Sequence, residues 1–250
     1  MTHGRITWRE LQTTDPETAS RFYPEVFDWH VEPVDLGGVD YRLVKQGGQD
    51  IAGIRPVVAI EGYVDRWVPF IEVKDVDASV DRALALGAKV ISAASDIPNV
   101  GRFAVIADPQ GGVVTLFFNA NPMAPRQDRP NDSEFSWEQI NTTDPEGTRL
   151  FYSGLFGWTA VNVEGIETFA LDGRSILSIV PAAPGAATHW LSHIVVDDLV
   201  SACGVVTSAG GAVQVPEVVV PNVGAYAVVT DPRGAAFCVF RPGVAQKPDL

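Results

Sequence analysis

Glu10 stands out for the company its spacing gives it. Residues two apart on a strand share a face, so the stretch Trp8, Arg9, Glu10, Leu11, Gln12 presents an indole, an acid and an amide together. The same alternation puts Gln139 and Asn141 beside Trp137, Phe70 and Glu72 beside Val68, and His189 and His193 beside Leu191. A carboxylate enclosed by apolar groups has a raised pKa and can serve as a general base. His193, which in water titrates near neutrality, can do the same. The structural alternatives are plain: Glu10 satisfies backbone donors or forms a buried pair with Arg9, Arg42 or Arg55, and His193 is a hydrogen-bonded lining residue. His189 and His193 are four residues apart, roughly 13 Å along a strand, too far to chelate one ion. His3, at the terminus, and His30, just past a helix, carry no functional signal. No Ser-His-Asp arrangement, no GxGxxG after a strand and no phosphate loop is present.

The elements that hold these residues are spelled twice. WRELQTTDPETASRFYPEVFDW (8–29) returns as WEQINTTDPEGTRLFYSGLFGW (137–158), with ten residues from Trp8 to Trp29 repeated at a constant offset. Each copy reads as a half-buried strand, an Asp N-cap (Asp15, Asp144), a Pro at the first helical position and an amphipathic helix. Pro24 interrupts the first copy and is expected to end or bend its helix early. Trp29 and Trp158 close the helices and read as core. Strands are expected at 39–44, 51–58 and 67–73, then a helix capped by Asp75 and stopped at Gly87. PNVGRFAVIADPQGGVVTLFF (98–118) and its echo PNVGAYAVVTDPRGAAFCVF (221–240) each read as loop, strand, Asp-Pro turn, strand. The second half repeats the order, with strands near 167–171, 175–181 and 189–196 and a helix opened by Asp198 and Leu199. NANPMAPRQDRPND (119–132), with three prolines, is the linker. The domains are therefore 1–120 and 134–250, joined by 121–133. Each is two copies of strand–helix–strand–strand–strand, and no copy could bury its apolar face alone.

Composition bounds the partners. Lys plus Arg number 18 against 31 Asp plus Glu, a formal net charge of −13, which repels phosphate backbones and anionic lipid. The N-terminal stretch lacks a signal-peptide core, and no run nears the ~18 apolar residues of a membrane span. Cys203 and Cys238 form no CxxC and read as buried free thiols. The expectation is a cytoplasmic monomer or homodimer acting on a small molecule, without nucleic-acid or membrane partners.

The βαβββ order, the helix motif DP-x5-FY-x3-F-x-W and the DP-x-G turn before a final strand resemble the vicinal oxygen chelate superfamily, which includes glyoxalase I, extradiol dioxygenases and bleomycin-resistance proteins. Trp in place of His at the start of each half is similar to a tandem two-domain, hydroxylase-like branch. The resemblance implies an α+β fold of four βαβββ modules, paired into two tandem domains with curved mixed sheets. In the superfamily each pair curls into a cup that holds a divalent metal between His, Gln and Glu ligands. Carried over residue by residue, the first-strand ligand positions are Trp8, Val68, Trp137 and Leu191. Thr115 and Cys238 stand where last-strand glutamates would, and the strands 51–57 and 175–181 contain no acid. Indole and aliphatic carbons offer a cation no lone pair. No metal and no other cofactor is expected.

In that frame Trp8, Glu10, Gln12, Phe70, Glu72, Thr115 and Phe117 line the first cup, and Trp137, Gln139, Asn141 and His193 line the second. Glu10 and His193 are the catalytic candidates, and the remaining residues are ligand-binding candidates. Trp8 and Trp137 either plug the cups or form stacking walls. The function expected first is a metal-free protein that sequesters or carries a small, partly apolar or aromatic metabolite. The alternative is a metal-independent enzyme (cyclisation, isomerisation, hydration or hydroxylation-associated tailoring). A metal-dependent lyase or dioxygenase ranks last.

Overall fold

The computed structural model describes residues 3–36, 38–59, 62–121, 130–163 and 165–243. Each module opens with a strand whose last residues lead into an aspartate N-cap. Asp15 accepts from Thr18 N at 3.0 Å, Asp75 from Ala78 N at 2.9 Å, Asp144 from Gly147 N at 3.0 Å and Asp198 from Ser201 N at 2.7 Å. Each carboxylate satisfies an N–H that the first helical turn would leave without a partner.

The first half runs β1 (Ile6–Thr13), α1 (Pro16–Val26), β2 (His30–Asp35), β3 (Asp40–Gln46), β4 (Gln49–Pro56), β5 (Arg66–Glu72), α2 (Val76–Ala85), β6 (Lys89–Ile97), β7 (Gly101–Ala107), β8 (Val113–Asn119). The second runs β9 (Phe135–Thr142), α3 (Pro145–Phe156), β10 (Thr159–Val163), β11 (Ile166–Leu171), β12 (Arg174–Pro181), β13 (His189–Val195), α4 (Leu199–Ser208), β14 (Ala212–Val220), β15 (Gly224–Thr230), β16 (Ala236–Pro242). Each half forms one eight-stranded mixed sheet, ordered β2-β3-β4-β1-β5-β8-β7-β6 and β10-β11-β12-β9-β13-β16-β15-β14. The expected α+β fold of four paired βαβββ modules is the one observed. Of the expected linker, residues 122–129 lie outside the described residues.

The four strands that the residue pattern does not place individually, β2, β6, β10 and β14, are the outer strands of the two sheets. Their exposure is irregular, as in β14, where most residues face solvent. An edge strand has no sheet neighbour on one side and little buried face, so the period-2 signal is lost.

Pro24 does not end α1, contrary to expectation. The helix continues to Val26, and Phe27 N closes the last turn on Tyr23 O at 2.9 Å. So close to the C-terminus, the proline forgoes only the bond to the Ser20 carbonyl. The two copies differ instead at their exits, extended at Phe27 and left-handed at Gly157, with φ 74°.

All four helices lie between the two sheets, α1 against α4 and α2 against α3. One core therefore mixes Leu11, Phe22, Tyr23 and Trp67 with Ile194, Val206 and Phe237. The other mixes Ile71, Ala83 and Leu116 with Tyr152, Trp158 and Leu177. Trp29 and Trp158 are core, as expected, and each also bonds outside its own half: Trp29 Nε1 donates to Ser133 O, at the end of the linker, at 2.7 Å and Trp158 Nε1 to Gly4 O of the first half at 2.8 Å. The second bond ties down the N-terminal stretch, and His3 packs edge-on against Phe156. Cys203 and Cys238 are free thiols, Cys238 buried and Cys203 only half-buried on α4. Among the described residues no helix is long and apolar enough to cross a membrane.

Candidate functional site

With the helices on one face of each sheet, the alternation of β1 divides cleanly. Leu11 enters the core, while Trp8, Glu10 and Gln12 face the opposite, concave side. The register sets Trp8 beside Phe70 and Glu10 beside Val68, and on the far side of β5 it sets Phe70 beside Thr115 and Glu72 beside Phe117. All seven residues expected in the first cup therefore share its face. The curl is deep. The Arg55 guanidinium, on β4, lies 5.8 Å from the ring centre of Phe103 on β7. Three strands separate β4 from β7, so a flat sheet would hold them about 19 Å apart.

Glu10 is the charged centre of this cup. It is 4% exposed, and burial pushes its pKa up, against the opposing pull of Arg55 and of hydrogen bonds with Gln12 and Tyr41. Gln12 Nε2 donates to Glu10 Oε1 at 3.2 Å, and Trp8 Nε1 donates to the Tyr41 hydroxyl at 3.1 Å. Thr115 Oγ1 is buried with no hydrogen-bond partner. Of the three arginines considered as neutralisers of Glu10, Arg9 pairs with Glu138 and Arg42 with Glu17 and Asp40. Arg55 alone acts on Glu10, through space.

The second cup repeats the geometry with different chemistry. Trp137, Gln139, Asn141, Leu191 and His193 share its face. Gln139 stands in the place of Glu10, and its Nε2 donates to Asn141 Oδ1 at 2.9 Å. Trp137 Nε1 donates to Ser178 Oγ at 3.1 Å. His193 is enclosed by Tyr226 and Phe240, with ring centres at 4.9 and 6.3 Å. Here the expectation fails: His193 does not titrate near neutrality. Burial, with no acid beside it, lowers its pKa to about 3, so the ring stays uncharged and is a weak base. His189 bonds the Ala187 carbonyl at 2.8 Å and takes no part with it.

Tyr41 and Phe103 join the first cup although the sequence does not single them out for it. One signal was available. Gly53 sits inside a strand, and a Cβ there would collide with the Tyr41 hydroxyl; an interior strand glycine marks such a close approach.

The donor set does not fit the superfamily's metal. The first-strand positions carry Trp8, Val68, Trp137 and Leu191, and Thr115 and Cys238 occupy the last-strand positions. Among the described residues no three His, Cys, Asp or Glu side chains gather to hold an ion. Two open concavities lie away from both cups. One, of about 600 Å³, runs between α4 and β14 past Cys203, and one of about 360 Å³ lies at the β14–β15 turn.

Residues 8–117 match the family described as "Glyoxalase-like domain", and residues 135–239 match the "Glyoxalase/Bleomycin resistance protein/Dioxygenase superfamily". A protein of Mycobacterium tuberculosis named "Putative glyoxylase CFP32" is 33% identical over 97% of both chains. The chain belongs to the glyoxalase/bleomycin resistance/dioxygenase superfamily. Another relative, "Anthracycline biosynthesis protein DnrV" of Streptomyces peucetius, is 33% identical over 44% of this chain and 48% of its own. Solved structures from the superfamily share the fold. The 2,3-dioxygenase LapB of Pseudomonas sp. KL28 superposes with TM-score 0.64 at 13% identity, over 100% of this chain and 96% of its own. The Mn(II)-bound glyoxalase of Novosphingobium aromaticivorans gives 0.58 at 15%, over 96% and 82%.

Proposed function

We propose that the chain binds a small, partly apolar or aromatic metabolite in the N-terminal cup without a resident metal, Glu10 being the polar group that meets it. The observation that carries this reading is a buried carboxylate among aromatic rings that is not neutralised by a contacting arginine. Such a group is costly unless something uses it, and a ligand offering an O–H or N–H donor would. Trp8, Phe70 and Phe117 supply flat apolar surface around it, Gln12 and Thr115 supply polar contacts, and Glu72 lies at the rim. Kinship with a protein of anthracycline biosynthesis is consistent with an aromatic ligand. The substituted ligand positions support the absence of a metal.

A second reading, metal-independent catalysis, draws on the raised pKa of Glu10. A carboxyl group shifted toward neutrality can take a proton from a weakly acidic C–H or O–H and return it elsewhere on the ligand. His193 is a poor candidate for that task, because its ring holds a proton too weakly.

Equilibrium binding of a panel of phenols, quinones and aromatic amides to the wild type and to Glu10→Gln tests both. The substitution keeps the shape and removes the charge. Loss of affinity by tenfold or more for a ligand bound by the wild type supports the site; unchanged affinity and turnover in a folded variant removes Glu10 from it. Elemental analysis finding one tightly held divalent ion per domain would overturn the metal-free reading.

A further inference from the structure

The two halves differ in kind at one place on their outer surfaces. In the first half Arg102, on β7, joins α2 to β6. Its Nε and Nη2 donate to Asp77 at 2.9 and 3.0 Å, and its Nη1 donates to Asp96 at 2.9 Å. The PNVG loop at 98–101 returns at 221–224, and in that register Asp77, Asp96 and Arg102 fall on Val200, Val219 and Ala225. The strand pairing agrees: Asp96 lies opposite Arg102, and Val219 opposite Ala225. An exposed ion triad in one copy is thus an apolar group in the other.

The exchange leaves apolar surface in water. Val200 is 82% exposed and Val219 67% exposed. Ala225 belongs to the core, so Val219, its strand partner, points to the same side of the sheet as α4. Alanine cannot bridge helix and edge strand as Arg102 does. Here the concavity of about 600 Å³ lies between α4 and β14, lined by Val200, Cys203, Gly204 and Val213 among others. Charge thins out around it as well. Residues 199–230 hold one charged side chain, Glu217, where the matching residues 76–107 hold six. An exposed apolar face rimmed by polar groups marks a contact surface.

We propose that two copies of the chain associate through this face, α4 and the helix side of β14, as a two-fold dimer. Charge selects a second copy as the partner. A two-fold contact sets each patch against itself, so any charge in it meets its like. With a formal net charge of −13, the chain repels itself over most of its surface and least where acids are missing. A membrane surface is a poorer fit, because residues 199–230 offer no lysine or arginine to an anionic headgroup. Shape agrees with self-association: projecting valines and a concavity share one face, as an isologous contact requires. The contact is side-chain packing and not strand addition. Pro216 has no N–H to give, and register shifts between Val213 and Val215 and between Val215 and Val218 break up the edge of β14.

This inference does not depend on either cup holding a ligand. Analytical ultracentrifugation of the full chain from about 1 to 100 µM covers the range of weak self-association. The mass is expected to climb from 26.8 kDa toward twice that value. Val200→Asp and Val219→Asp restore the acids of the first half at exposed positions, and each should weaken association roughly tenfold or more. Ile91→Asp, on the exposed part of β6, should leave it unchanged. Cys203 gives a second readout, since the other thiol, Cys238, is buried. Its reaction with a disulfide reagent should slow as protein concentration rises, and Val200→Asp should remove that dependence. A mass that stays at 26.8 kDa overturns the proposal. So does a dimer that survives both valine substitutions, one that Ile91→Asp disrupts equally, or a Cys203 reactivity indifferent to concentration.

Discussion

Arg9 Nε donates to Glu138 Oε1 at 2.7 Å, and the two residues are 129 positions apart, the interval that also separates Trp8 from Trp137. A residue that meets its own counterpart lies on the pseudo-two-fold axis between the halves. In a pair of identical chains that position would face itself, and like charges would meet. Two linked copies can differ, and here one became a cation and the other an anion. Ser192 Oγ donates to the second carboxylate oxygen at 2.8 Å, and Arg9 also lies 5.1 Å from the ring centre of Phe135.

Removing one partner of this pair leaves a buried charge uncompensated. Arg9→Met or Glu138→Leu alone should cost about 3–5 kcal/mol, whereas the double variant should recover most of that loss. Urea denaturation of the three variants measures it. Additive losses would show that the two side chains do not depend on each other.

The halves are also joined by a reciprocal pair of bonds. Tyr152 on α3 donates to Asp108 of the first half at 2.8 Å, and Tyr23 on α1 donates to Asp231 of the second at 3.2 Å. Each aspartate opens an Asp-Pro turn and accepts backbone N–H bonds, from Gln110 and Gly112 or from Arg233 and Ala235. Tyr152→Phe leaves the turn's backbone bonds intact and removes the cross-domain bond, so it should cost about 1–3 kcal/mol. A loss below ~0.5 kcal/mol in the same denaturation assay would mean the bond adds little.

Four buried acids, Glu10, Asp108, Glu138 and Asp231, have pKa values raised chiefly by burial. The folded chain therefore holds these protons more firmly than the unfolded chain. The stability they contribute is complete below the unfolded values, 4.5 for Glu and 3.8 for Asp, and is lost as pH rises through the folded ones. Glu10→Gln removes one ionisation from this set. Its stability relative to the wild type should rise as the pH climbs from 4.5 through the raised folded pKa of Glu10, and be lowest below pH 4.5. A difference that is flat with pH, or that grows toward acid, would contradict the raised pKa.

Gly53 makes room for Tyr41, whose hydroxyl accepts from Trp8. Gly53→Ala forces the phenol aside, frees the indole and should cost about 1–3 kcal/mol as an overpacked site. Adding Tyr41→Ser removes the clash, so the double variant should be more stable than the sum of the two single losses. Strict additivity would show that the ring and the glycine are independent.

Local grammar carried much of this fold. The doubled Thr-Thr-Asp-Pro segment, the four aspartate caps and the Asp-Pro-x-Gly turns are short-range features, written in adjacent residues, and they specified the modules, their order and the concave-face positions of Glu10, Gln139 and His193. Edge strands such as β14 escaped because a strand without a buried face has no alternation to read. Pro24 misled because its cost depends on how far the helix continues beyond it.

What tertiary structure alone decided is everything that joins residues far apart in the chain. The sequence specified two halves with apolar helices, but only packing determined that α1 meets α4 and α2 meets α3, bringing Arg9 onto Glu138. Only the curl of the sheet brings Arg55 over Phe103 and Tyr41 beside Glu10. The ionisation of His193 was decided there too. Its residue type implies titration near neutrality, but desolvation with no acid beside it holds the ring uncharged, and desolvation is a property of the folded surroundings, not of the local sequence.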